Sequence, residues 1–241
     1  MTELIIFIFL FSFTVINKTS REVFLNKGFS NHILDLLNLT LQGTIIPLLA
    51  AIVASQLLGN YFEIMYRSIE FPWWSLLFIN FFIVDYLYYW NHRLLHNKSF
   101  FFIHKVHHTM ESMDTFGTSR NTLWSSFFIV YFWINTSIMF SAADPTYYLI
   151  GATISASLDL WKHSSFLTKN LKIISFISTY FLIMTPNEHA WHHATKLKNN
   201  YGANFNIYDK LHRTYYKNFN CPDKLGLNIE MSFWKKLLFP F

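Results

Sequence analysis

Apolar residues gather into six long runs along this chain, at 4–16, 41–58, 73–90, 123–141, 146–162 and 171–184. A helix that crosses a bilayer needs about 20 mostly apolar residues, within a range of roughly 17–25. The runs 41–58, 73–90, 123–141 and 146–162 meet that length and predict four spanning helices. The run 4–16 is shorter. Glu3 stands where a secretory leader would carry a basic flank, and no small-residue cleavage site follows. This run is expected to span with help from its neighbours or to lie partly in the interface. The run 171–184 is too short to cross comfortably, and Lys169 and Lys172 at its start suggest a re-entrant or interfacial segment. No internal repeat or low-complexity linker interrupts the pattern. The expectation is a single all-α domain over 1–241, an integral membrane bundle of about four transmembrane helices.

Charge orients that bundle. Running 41–58 outward and 73–90 back leaves Arg67 as the only basic residue in the loop between them, and the connection around Asp144 and Pro145 holds none. The other 18 of the 19 Lys and Arg residues fall on the opposite side or at its boundary, as the positive-inside rule predicts. This places 17–40, 91–122 and 163–241 in the cytosol, provided that 171–184 does not cross. All 11 histidines lie in those three stretches, as a cytosolic cap. Composition agrees with a bilayer. The chain is 52% hydrophobic and 20% aromatic, and its 14% charged residues compare with about 25% in a soluble domain. Seven glycines argue against a Gly-rich phosphate loop, and the single Cys221 excludes internal disulfides and sites built from several thiolates. The net charge of +5 lies beside apolar segments, which fits anionic lipid rather than nucleic acid.

The candidate chemistry is in the histidines, nine of which fall in four places. His92 and His96 are four apart, so on a helix their rings leave one face separated by roughly 40° and can reach a common metal. Asp85 returns to that face within about 20°, where a carboxylate could accept the ring N–H of a ligand histidine. Alone, such a pair equally suits the water boundary at a helix end. His104, His107 and His108 form a His-x-x-His-His box, and His189, His192 and His193 repeat it some 85 residues later. Chance rarely produces that pattern twice in one short chain. His163 ends the run 146–162 at the same boundary, with Asp159 one turn earlier. His32 and His212 stand apart and are left out.

Nine imidazoles exceed the needs of one ion. A catalytic zinc takes three protein ligands and an open position, and a mononuclear oxygenase iron takes two histidines and a carboxylate. Two ions with four or five nitrogen ligands each use the supply. Imidazole suits zinc, copper, iron and nickel alike. The membrane setting favours iron with O2, which can oxidise an unreactive C–H bond in a lipid chain; zinc could take the same ligands in a purified or crystallised protein. Trp90, Trp124, Trp161 and Trp191 would wall such a site against water, and they are equally ordinary interface anchors.

The combination Asp85-x4-Trp90-x-His92-Arg93-x2-His96, His104-Lys105-x-His107-His108 and Pro186-x2-His189-x2-His192-His193 resembles the fatty acid hydroxylase and sterol desaturase superfamily of integral membrane proteins. Asn200-Tyr201-Gly202 and Tyr208-Asp209-Lys210-Leu211 are similar to its Asn-Tyr-Gly…Trp-Asp-Arg-Leu tail, with Tyr208 for Trp and Lys210 for Arg. The likeness covers roughly residues 75–216, the catalytic region of the domain. It implies a bundle of about four helices under a cytosolic cap that binds two metal ions. It also implies hydroxylation, desaturation or ether cleavage of a lipid with O2 and two electrons. The positions carried over as ligands are His92, His96, His104, His107, His108, His163, His189, His192 and His193. Some members have a second histidine where this chain has Asp159, which leaves open whether Asp159 binds metal directly. Asp114-x4-Ser119-Arg120-x3-Trp124 resembles the alkylglycerol-monooxygenase-like branch. No haem-binding His-Pro-Gly-Gly segment is present, so electrons are expected from a separate donor such as a cytochrome b5 or ferredoxin docking on the basic cytosolic surface.

Two rival readings remain at this level. A zinc-dependent hydrolase would generate its nucleophile on the metal and want a carboxylate base, for which Glu188 or Glu111 could serve. A non-catalytic membrane protein could hold metal or haem with the same histidines. Arg93, Lys105 and Arg120 are candidates for holding a lipid headgroup, against ordinary positive-inside charge. The ending Leu-Leu-Phe-Pro-Phe lacks a lysine retrieval signal, which favours a bacterial inner membrane over the endoplasmic reticulum.

Overall fold

The computed structural model describes residues 2–194 and 198–238, so most of the ending that bears on the membrane assignment lies outside the described residues. Among those described no strand forms; the isolated bridges Ile69 to Ala142, Ile183 to Phe205 and Ala194 to Leu225 only tie loops together. The chain is all-α, as the apolar runs predict.

Helix α1 (Thr2–Ile16) turns by 95° into α2 (Lys18–Leu25), where the Asn17 side chain accepts the Ser20 N–H and caps the second helix. Helix α3 (Phe29–Met65) runs for 37 residues and contains the predicted span 41–58. It is the one unbent helix among the described residues long and apolar enough to cross a membrane. Only 6% of its most apolar window is buried. A soluble core helix would hide that face, whereas Leu48, Ile52 and Leu57 leave it exposed. Next, Trp73–Phe78, a π-helical stretch Ile79–Val84 and Asp85–Leu95 follow without a break and together form α4.

The run 123–141 does not become one helix. Residues Ser125–Phe128 form a 3-10 turn, and α6 (Val130–Ser141) has only 12 residues. The cause is local polarity inside the apolar run. Ser125 donates its hydroxyl to the Thr122 carbonyl, and Asn91 accepts from Val130 N–H and donates to the Phe128 carbonyl. These side chains offer the backbone partners that a helix would otherwise supply. Helix α7 (Thr146–Lys162) matches the predicted 146–162. Helix α8 (Leu171–Phe181) is short and ends where Leu182 enters the left-handed region at φ 57°.

Helices α1 and α4 pack on α7, and α6 packs against both α3 and α4. Leu76, Val84 and Tyr148 are buried where α4 meets α7, with Ile134 and Ile138 of α6 against them. The short helices α5 (Phe101–His104), α9 (Pro186–His192), α10 (Ile207–Leu211) and α11 (Phe233–Leu237) pack on the longer ones, α5 and α10 on α4, α9 on α7 and α11 on α3, and with their connecting loops make up a cap. A buried ion network ties the segment from Asp114 to Arg120 to α3 and to the turn before it. Arg120 donates to Asp35 through Nε at 2.5 Å and Nη2 at 2.8 Å, and Lys27 pairs with both Asp35 and Asp114.

The tail motif has a physical reason. The Asp209 carboxylate accepts the backbone N–H groups of Tyr201 at 2.8 Å and Gly202 at 2.7 Å, which bends the Asn200-Tyr201-Gly202 loop back towards α4. A Cβ on Gly202 would overlap the Phe205 carbonyl oxygen. Gly202→Ala is therefore expected to destabilise the protein by about 1–3 kcal/mol, the usual range for overpacking. Thermal unfolding in detergent checks this, with an alanine at the unobstructed Gly43 inside α3, which should not destabilise, as the control.

Candidate metal centre

Four helices aim their C-terminal ends at one place. His92 lies in the last turn of α4 and His96 caps it; His104 ends α5; His163 caps α7; His189 and His192 end α9, with His193 as its cap. A helix C-terminus carries partial negative charge, so this convergence favours a cation. Helix α9 is only 7 residues long and is fixed at its start. Thr185 accepts the Glu188 N–H, and the Glu188 carboxylate accepts the Thr185 N–H at 2.9 Å and hydroxyl at 2.8 Å. Ser178 and Tyr215 donate their hydroxyls to the other Glu188 oxygen. That carboxylate is committed to holding α9 and is not a free base. Glu111 lines a separate surface pocket beside Lys27 and Arg120.

The nine histidines form two groups. His92, His96, His104, His108 and His192 make one, and His107, His163, His189 and His193 make the other; within each, one nitrogen per ring lies within 4.8 Å of all the rest. Two imidazoles across one ion at 2.0–2.1 Å stand at most about 4.2 Å apart. Each group therefore has nearly the span of a coordination shell. Each triple box serves both groups. The box at 104–108 does not present three rings on one continuous helix: α5 ends at His104 and a 3-10 turn, His107–Thr109, follows. That break lets His107 turn to one group while His104 and His108 turn to the other.

Backbone carbonyls fix the tautomers. A carbonyl can only accept, so each ring nitrogen facing one carries the proton and leaves a lone pair on the other nitrogen. The Nδ1–H of His92 donates to Tyr201 O at 2.8 Å, that of His107 to Arg120 O at 3.0 Å, that of His163 to Asp159 O at 2.8 Å and that of His192 to Asn199 O at 2.8 Å. The Nε2 atoms of His107 and His163 then face each other at 3.3 Å with a lone pair each. Two lone pairs repel unless a proton or a metal ion lies between them. Burial opposes the proton: His107 is held down at about 3, first by desolvation and then by His163. Desolvation lowers His163 as well. Nitrogens of His104, His189, His192 and His193 are also buried without a hydrogen-bond partner. Neutral rings, inward lone pairs and unpartnered nitrogens are the state that metal ligation requires.

The two acidic candidates act at one remove. Asp85 does not touch a histidine ring; its oxygens accept the N–H groups of Asn204 at 2.9 Å and Phe205 at 3.2 Å. It pins the loop whose Tyr201 carbonyl aims His92. Asp159 joins neither group; its backbone carbonyl orients His163, and its carboxylate pairs with Lys162 at 2.8 Å. Arg120 is 1% exposed and bound to Asp35, so it is closed to a lipid headgroup. Its carbonyl holds His107 instead. His32 packs against Phe24 and His212 against Tyr89 and Trp90, both away from the cluster. The orienting carbonyls of Arg120, Asn199 and Tyr201 have no side-chain signal and were beyond sequence reasoning.

A cavity of about 330 Å³ opens from the histidines down between α3, α4, α6 and α7. His104, His107, His163 and His189 form its head, so the four-imidazole group supplies most of the histidines that face it. Ile129, Phe132, Ala152 and Ala156 are among its apolar walls, and Asn80, Asn135 and Ser155 among its polar ones.

The protonation states set a pH dependence. Free imidazole titrates near 6.5, while His96 and His107 are both held at about 3, chiefly by burial. Between those values the unfolded chain binds more protons than the folded one. Metal-free protein should thus be most stable above about pH 6.5 and lose stability as pH falls towards 3, measured by unfolding across a pH series. Elemental analysis of variants tests the ligand set. His163→Ala should halve the metal content, whereas Asp159→Asn, which keeps the carbonyl, should retain it.

The family model described as fatty acid hydroxylase matches residues 77–214, a stretch that holds all nine clustered histidines. The alkylglycerol monooxygenase of Xenopus tropicalis is 27% identical over 158 residues, covering 62% of this chain and 33% of that protein. That of Caenorhabditis elegans is 27% identical over 159 residues, covering 62% and 29%, and the human one is 26% identical over 159 residues, covering 62% and 33%. The chain thus spans about a third of the length of the curated relatives it matches. No solved structure matches. A matching family model over more than half of the chain, around two converging groups of imidazoles, places this protein in the fatty acid hydroxylase family, on its alkylglycerol-monooxygenase-like branch.

Proposed function

We propose that this protein is a multi-pass membrane oxygenase whose nine clustered histidines ligate two metal ions, iron in the working enzyme. It uses O2 and two electrons to hydroxylate, desaturate or cleave the ether of a lipid. The observation that carries this reading is the junction of the four-imidazole group with a cavity running among apolar helices. Relatives named alkylglycerol monooxygenase favour an ether lipid among the three outcomes. When bound, the metal pair would supply the O2 activation that an unreactive C–H bond demands.

The chain's own residues supply position and exclusion. Helices α3, α4, α6 and α7 set the lipid chain in the cavity, and Ile129, Phe132, Ala152 and Ala156 keep water from it. The two groups divide the work by their surroundings. The four-imidazole group faces the cavity and has room for a further ligand. The five-imidazole group contains His96, the only one of the nine not fully buried. Lys198 is exposed and close enough for its charge to act on His96. A separate electron donor with an acidic face, such as a cytochrome b5 or ferredoxin, would approach there, on the cytosolic side.

Lipid profiling by mass spectrometry of cells making wild type or His192→Ala tests the reading. A species one oxygen heavier, two hydrogens lighter or cleaved at an ether should accumulate with wild type alone, and only in air. Identical profiles would overturn it, and turnover without air would favour the hydrolase.

A further inference from the structure

The cavity below the histidines is more polar than a slot for a plain alkyl chain needs to be. Asn80 lies within the most apolar part of α4, on the π-helical stretch Ile79–Val84. It is 1% exposed and lines the cavity. Such residues inside membrane helices are costly to place and are kept where they act; single π-helical turns mark functional sites often enough to point the same way.

A relay fixes which way the Asn80 amide points. The Asp85-pinned Asn204 donates its side-chain amide to Ser155 Oγ at 2.9 Å, and Ser155 donates its hydroxyl to Asn80 Oδ1 at 3.0 Å. The hydroxyl has one proton, so the atom that accepts it is the Asn80 oxygen and the free end is the N–H2. That nitrogen is buried without a hydrogen-bond partner. Tyr148 lies beside it with its own hydroxyl proton given to Asn135 at 2.7 Å, so the phenol oxygen can take at most one of the two amide protons and the other stays open. Opposite stands Gly151, where a Cβ would come within 3.0 Å of the Asn80 side chain. The glycine leaves the amide the room it occupies. A second unpartnered amide oxygen, of Asn121, lines the same cavity. A buried donor left open in this way needs a ligand or a trapped water to satisfy it.

We propose that Asn80 is a specificity-determining residue that donates a hydrogen bond to an oxygen atom within the lipid. The substrate is then a lipid with an acceptor oxygen along its chain rather than a plain hydrocarbon tail. The oxygen read by Asn80 is not bonded to the carbon that reacts. Asn80 precedes His92 on α4 by 12 residues, roughly 18 Å along the helix axis. Ser155 likewise precedes His163 on α7 by 8 residues, roughly 12 Å. The inference rests on the lipid-oxidising reading of the site and adds a second point of recognition to it.

Binding measured without turnover tests the proposal. Purified metal-loaded protein in detergent is given a fluorescent fatty-chain probe, which is displaced by lipids of equal length: all-methylene chains, chains with one ether oxygen moved stepwise along them, and chains with one keto group. Wild type should prefer an oxygenated chain by roughly three- to tenfold, the effect of one hydrogen bond, with a maximum at one position. Asn80→Leu should erase the preference. Asn135→Leu, at a cavity residue whose oxygen Tyr148 already occupies, should keep it. Equal binding of every chain by wild type, or a preference that survives Asn80→Leu, would overturn the proposal and leave a trapped water as the amide's partner. If Asn80→Leu does not fold, the wild-type position scan decides alone. Failure of the oxygenase reading would look different: the oxygenated chain would bind selectively and emerge unchanged.

Discussion

The whole arrangement depends on one constraint: nine neutral imidazoles share a buried space with their lone pairs turned towards one another. Burial drives every one of these rings away from protonation. Ring nitrogens nevertheless approach to 2.9 Å between His92 and His104, 3.0 Å between His189 and His163 and 3.1 Å between His108 and His96. Some of these contacts can share a proton. The His107–His163 contact cannot without charging, because both rings have given their Nδ1 protons to carbonyls. A divalent cation in each group removes the conflict among its rings, and the surrounding helix C-termini add to the attraction.

The rest of the cap holds those rings in aim. Most of its buried acidic groups act on the backbone rather than on the histidines. Asp209 and Asp85 clamp the Asn200–Phe205 loop from two sides, and its Tyr201 carbonyl orients His92. Asp35 holds Arg120, and the Arg120 carbonyl orients His107. Glu188 holds the start of α9, which carries three rings. These layers explain why motif residues that never reach the metal groups recur beside the boxes, and why a glycine stands at position 202.

Much of this was legible in the sequence. The repeated His-x-x-His-His box and the pair His92 and His96 pointed to eight of the nine rings that the structure brings together. The partition into five and four was not legible, since it depends on α5 ending at His104 and freeing His107 to turn away. The reading of Asp85 as a partner of His92 failed for a related reason: helical phase put them on one face, but the loop from 198 to 206 folds between them and takes the carboxylate. The division of the run 123–141 lay in Ser125 and Asn91, whose side chains satisfy backbone groups that hydropathy ignores. Asn80 and Ser155 were visible as polar residues in apolar runs, yet only the cavity gives them a meaning.

X-ray absorption spectroscopy on protein purified without chelators tests the central claim most directly. The account predicts two ions per chain, each with a first shell of four or five imidazole nitrogens, and loss of one shell when His163 is replaced by alanine. A single ion, a shell dominated by oxygen or sulfur, or a porphyrin signature would contradict it.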